Sequence, residues 1–246
     1  MISDNGNDGN HCRYHASHPV RGNNHEAAKN VSNEDAMCGI TLSVDVDMKQ
    51  GNDYGSMPLP LAVVNKSNVL MSGYLIENWA NVNVKDIECC TPLHIAVRSR
   101  DDVEVLKQWI ASGVEIDAKD IEGWTALHYA AAINVCQDSV EYLITQLADV
   151  NARANCGWTP LHLAAYDIDN LVTLQLLIDS GADVNAQNED GRTPLHLAAE
   201  SNPNIHVLKF LIDNGADIMA ADAMGLIPYH IANSDEKKAI LLAACG

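Results

Sequence analysis

The chain repeats itself every 34 residues. The position held by Thr159 recurs as Met57, Thr91, Thr125, Thr193 and Ile227, with no slip in spacing. Leu59, Leu93, Leu127, Leu161, Leu195 and Tyr229 follow in step, then an unbroken alanine row at Ala62, Ala96, Ala130, Ala164, Ala198 and Ala232. A period of this length means that each unit is one small supersecondary element, too small to bury its apolar face alone and stable only when stacked on its neighbours.

Each unit reads as two helices and a turn-rich connection. Thr159 suits an N-cap and Pro160 the first helical position, where a missing amide hydrogen costs nothing. The alanines let backbones approach. A second helix starts at the column of Asn68, Asp102, Asn170 and Asn204, all capping residues, with Cys136 a weaker cap in one unit. Its apolar face carries Leu75, Trp109, Leu143, Leu177 and Leu211, each followed by isoleucine. Gly113, Gly181 and Gly215 end it in the left-handed conformation, whereas Trp79 and Leu147 hold that column in two units and end it less comfortably. The stretch "ADVNAQNEDGRTPLH" then predicts a projecting loop or hairpin.

These motifs resemble the ankyrin-repeat family, whose units open with Thr-Pro-Leu-His and close with Gly-Ala-Asp-Val-Asn-Ala. The first stands intact at Thr91 to His94, Thr159 to His162 and Thr193 to His196, and with Ala126 in place of proline between Thr125 and His128; the second stands at Gly181 to Ala186. The added residue relative to the family's usual 33 falls between the two helices. The resemblance implies an all-α repeat solenoid of helix-turn-helix units with β-hairpin loops, about six units across residues 46–246, with the first and last acting as caps. Residues 1–45, rich in Asn, Gly and Asp, are expected to form a mobile polar tail.

The recurrence of histidine decides its role. His94, His128, His162 and His196 occur once per unit, so stacked copies stand about 10 Å apart, too far to share a metal that needs ligands at about 2 Å. The resemblance implies that each bonds neighbouring backbone, with Thr91, Thr125, Thr159 and Thr193 beside it as part of the frame. A second cluster, His11, Cys12, His15 and His18, could hold zinc or copper, which gives an alternative function as a metal-binding protein acting through the tail; scattered histidines in a soluble tail are the plainer reading. There is no phosphate loop, no His-Glu-x-x-His, no Gly-x-Ser-x-Gly and no singled-out carboxylate pair, so neither an enzyme nor a cofactor is expected.

Charge narrows the partners. With 33 acidic residues against 15 basic ones and a net charge of −18, the chain does not suit nucleic acid, which needs clustered Lys and Arg. No run of apolar residues is long enough to cross a membrane, and no secretory leader is visible. Seven cysteines without framework spacing suggest reduced thiols and an intracellular, cytoplasmic location, with the nucleus as an alternative. The expectation is a non-catalytic protein-interaction module, monomeric when free: an adaptor, a stoichiometric inhibitor or a host-directed effector, between which the sequence does not choose.

Contacts with a partner should come from columns that vary. These are Ile87 and Glu88 with Arg98, Ile121, Glu122 and Trp124 with Ile133, Trp158 with Tyr166, and Asp190 and Arg192 with Glu200. Trp124 and Trp158 share a column and, with Tyr166 near, form an aromatic group of the kind that dominates interface energies; the alternative is that each tryptophan packs on its own hairpin. The acidic members predict a rim for a partner with a basic or mixed surface. Asn151 and Asn185, each in Asp-Val-Asn with a leucine eight residues earlier, are similar to the pattern that eukaryotic asparagine hydroxylases accept in ankyrin repeats, beside a structural role in the hairpin.

Overall fold

In a computed structural model of the chain, residues 81–98, 103–133, 137–167 and 171–245 are described. The tail cluster and the first unit therefore lie outside the described residues. Within them the chain forms paired helices: α1 Pro92–Arg98 and α2 Val103–Ala111, α3 Ala126–Ala132 and α4 Gln137–Thr145, α5 Pro160–Asp167 and α6 Leu171–Asp179, α7 Pro194–Glu200 and α8 Ile205–Asp213, then α9 Pro228–Ile231 and α10 Asp235–Ala244. The first helices pack in file, α1 on α3 on α5 on α7 on α9, and the second helices form a parallel file behind them.

One continuous core runs along the seam between the two files. Ala96, Ala130, Ala164 and Ala198 are buried, as are Leu93, Leu127, Leu161 and Leu195 from the first helices and Leu143, Leu177 and Leu211 from the second. The alanine row is what allows consecutive first helices to sit against each other. Asn204 caps α8 by accepting the His206 N–H at 2.9 Å. The second helices end at positive φ, +86° at Gly113, +91° at Gly181 and +88° at Gly215; Leu147 adopts the same conformation at +68°.

Two expectations need correction. No strand forms among the described residues: each turn-rich connection is closed by two backbone bonds, such as Asn188 N–H to the Arg192 carbonyl and Gly191 N–H to the Asn188 carbonyl, both at 3.0 Å, so the loops are hairpin-shaped without a ladder. And the spacing, which holds for the first helices through Ile227, does not carry over to the second helix of the last unit. Successive second helices begin at Val103, Gln137, Leu171 and Ile205, but α10 begins at Asp235, because α9 has 4 residues where the other first helices have 7 or 8. That shift puts Leu241 in the place of Leu211 and Lys237 in the place of Val207. Lys237 is consequently enclosed at 2% exposure, its Nζ donating to the Ala199 carbonyl at 3.0 Å, and burial lowers its pKa.

Candidate protein-interaction surface

The histidines are consumed by the stack. In every unit from His94 to His196 the ring Nδ1 lies 3.1 Å from the threonine N–H three residues back and 2.8 or 2.9 Å from its hydroxyl, while Nε2 reaches a carbonyl thirty residues on, that of Trp124, Trp158, Arg192 or Leu226, at 3.0 or 3.1 Å. A carbonyl only accepts, so Nε2 carries the hydrogen and the Nδ1 lone pair receives the threonine donors. The ring therefore closes the first turn of its own helix, as in half of a capping box, and ties it to the next hairpin. A proton on Nδ1 would face two donors, and the rings are buried. Burial pushes His128 and His162 down to about 4 and lowers His94 and His196 as well.

A second set of cross-unit bonds comes from the asparagines. The Asn151 amide donates to the Gly181 carbonyl at 2.9 Å and accepts the Asp183 N–H at 2.8 Å; Asn185 does the same with Gly215 and Asp217 at 3.1 and 2.7 Å, and Asn83 with Gly113 and Glu115 at 3.3 and 2.7 Å. Asp117 holds this column in one unit and, as a carboxylate, can only accept, from the Asp149 N–H at 3.0 Å. Asn151 and Asn185 are exposed, with both ends of the amide occupied.

Sequence reasoning missed a third column, Asp86, Asp120, Asn188 and Asp222, although it keeps the same spacing. Its Oδ1 accepts the N–H four residues on, at Cys90, Trp124, Arg192 and Leu226, and so shapes each turn; Ala154 is the exception. Asp120 is also the acceptor for the buried Tyr129 hydroxyl, and that bond together with burial raises the Tyr129 pKa. Burial pushes the neighbouring Cys90 thiol up to about 12, which removes it from thiolate chemistry.

The tryptophans belong to the interior and not to the surface. Trp124 and Trp158 are 4% and 7% exposed. Trp124 lies against His128 and Tyr129, with ring centroids 6.0 and 5.0 Å away, and Trp158 against His162 and Tyr166 at 6.0 and 5.9 Å. Ile133 is buried too. The physical reason is a pairing of hairpin and helix eight residues apart within a unit: Trp158 meets Tyr166, Arg192 binds Glu200 at 2.8 Å, and the Arg98 guanidinium lies 3.8 Å from the Cys90 sulfur; Arg192 also reaches Asp222 of the next unit at 3.7 Å. Arg98 also stands 3.8 Å from Glu88 and 5.5 Å from the Tyr129 ring centre. Arg98, Tyr166 and Arg192 are thus half-buried and engaged within the chain.

Those of the expected contact residues that remain exposed lie on the line of hairpin tips. Each tip is bonded to the next, Ile121 N–H to the Glu88 carbonyl, Asn155 to Glu122, Glu189 to Cys156 and Ala223 to Asp190, at 2.8 to 3.1 Å. Ile87, Glu88, Ile121 and Glu122 project from the first two of these tips, and Asp190 is half-buried further along. Among the described residues no group of three or more metal-ligating side chains converges, and no helix is long and apolar enough to cross a membrane. Cys89, Cys90, Cys156 and Cys245 are free thiols.

The comparisons agree with this architecture. Models of ankyrin repeats match residues 93–188, as three copies, and residues 177–232, as many copies. The chain belongs to the ankyrin-repeat family. Among solved structures it is similar to the ankyrin repeat domain of Bcl-3, described as a unique member of the IkappaB protein family, with 27% identity, a TM-score of 0.68, and 84% of this chain and 90% of that one covered. A comparison with curated proteins gives no match.

Proposed function

We propose that the protein is a non-catalytic interaction module, monomeric when free and intracellular, that captures a protein partner on the face bearing its hairpin tips. One observation carries this reading. The polar groups that recur from unit to unit are spent on shaping the turns and on holding neighbouring units together, while the side chains that differ between units, Ile87, Glu88, Ile121 and Glu122 foremost, project outward. A surface of this kind has no reacting group to offer, and spreads its contacts over several units. Its acidity favours a partner with a basic or mixed surface.

The test is affinity capture from cell extract with the intact chain beside an Ile87→Ser/Ile121→Ser variant, with thermal unfolding of both. A protein retained by the intact chain and lost from an equally stable variant supports the reading. Identical retention by the two removes the tip face from the function.

A further inference from the structure

The line of tips changes character along the stack. Ile87 and Ile121 are 56% and 59% exposed, whereas the same column continues as Asn155, Glu189 and Ala223. Neither isoleucine packs on the core. Large β-branched residues are unusual choices for a turn, which favours Gly, Asn, Asp and Ser, so turn formation does not account for these two. The bond of 2.9 Å from the Ile121 N–H to the Glu88 carbonyl sets the two tips side by side, and each isoleucine is followed by an exposed glutamate, Glu88 or Glu122.

The two carboxylates are not equivalent. Glu88 has the Arg98 guanidinium at 3.8 Å. Glu122 has no ion pair among the described residues, and its charge is open to a cation from outside. From this juxtaposition we infer that the two tips bind a segment of a partner protein in which an aliphatic side chain stands directly beside lysine or arginine. The aliphatic group covers Ile87 and Ile121, and the cation sits on Glu122. Charge complementarity selects this occupant over a second copy of the chain, since a chain with a net charge of −18 repels its own kind. The inference rests on the reading that the tip face meets a protein.

The experiment is fluorescence anisotropy on the full chain with three labelled peptides of about twelve residues: one of leucine, lysine and glycine, one of serine, lysine and glycine, and one of leucine, glutamate and glycine. The first should bind tightest, and more weakly as salt rises. Its Kd should rise roughly tenfold in Ile121→Ser and in Glu122→Gln, about threefold or less in Glu88→Gln, where Arg98 already neutralises part of the charge, and not at all in Glu189→Gln. Because these side chains are exposed, the variants should unfold at the temperature of the parent chain. Equal binding of the serine and leucine basic peptides, tightest binding of the glutamate peptide, indifference to Ile121→Ser and Glu122→Gln, or no peptide binding at all would each overturn the inference. So would self-association in sedimentation that Ile121→Ser abolishes, which would make a second copy the occupant. Partner capture that depends on the tips could still succeed in any of these cases, so the broader reading fails separately.

Discussion

Replacing His162 by leucine fills the space of the ring and removes only its polar atoms. The Thr159 N–H, the Thr159 hydroxyl and the Arg192 carbonyl are left in a site of 0% exposure. Each stranded group costs about 1 to 3 kcal/mol, so with three of them His162→Leu should lower stability at neutral pH by at least about 3 kcal/mol. The loss should depend on pH. Burial holds His162 near 4 in the folded chain against 6.5 in the unfolded one, so on acidification the unfolded chain takes up its proton first. The stabilisation is complete above about pH 6.5 and erodes as pH falls toward 4, by about 3 kcal/mol over the whole window. Between about pH 7.5 and about pH 5 the gap between parent and variant should therefore shrink by about 2 kcal/mol. Urea unfolding followed by tryptophan fluorescence at the two pH values measures both. A gap that stays constant, or one below about 1 kcal/mol at neutral pH, would refute the bonding and protonation scheme.

Three other outcomes follow from the packing. Trp124→Ala and Trp158→Ala, each emptying a buried site, should cost about 3 to 5 kcal/mol apiece in urea unfolding, in place of the near-neutral effect expected of surface residues. Leu147→Gly should raise stability by about 1 kcal/mol, because the leucine sits at φ +68° with 87% of its surface in water and contributes strain without packing; a lower melting temperature would count against this. Asn185→Ala removes two bonds between units and should cost about 1 to 2 kcal/mol, whereas Asp117→Ala, which removes one, should cost less.

The frame was legible because it is periodic. Thr, Pro, Leu, His and Ala recur at one spacing, and stacking accounts for each of them. The tryptophans were harder to place, since a large side chain beside a turn can face either way. Their burial depends on the ring each meets on the first helix, Tyr129 for Trp124 and Tyr166 for Trp158, and that pairing is a tertiary fact. The turn-shaping column failed for a plainer reason: Ala154 interrupts it, and its members are ordinary turn residues. Lys237 was invisible to a fixed register, because only the shortness of α9 moves it into the place of Val207. The pairing at Ile87 and Ile121 was half legible, their positions from the spacing and their adjacency only from the bond between tips.

The bridging asparagines make the joints between units unequal. Where Asp117 stands in their column, the Leu147 carbonyl receives no side-chain donor among the described residues, and the residue carrying it has a positive φ where the other joints have glycine. Under mechanical load or a probing protease the array should part at that joint, into a leading and a trailing block. A binder gripping both blocks would act as a splint, and the chain would resist rupture only while the binder stayed on.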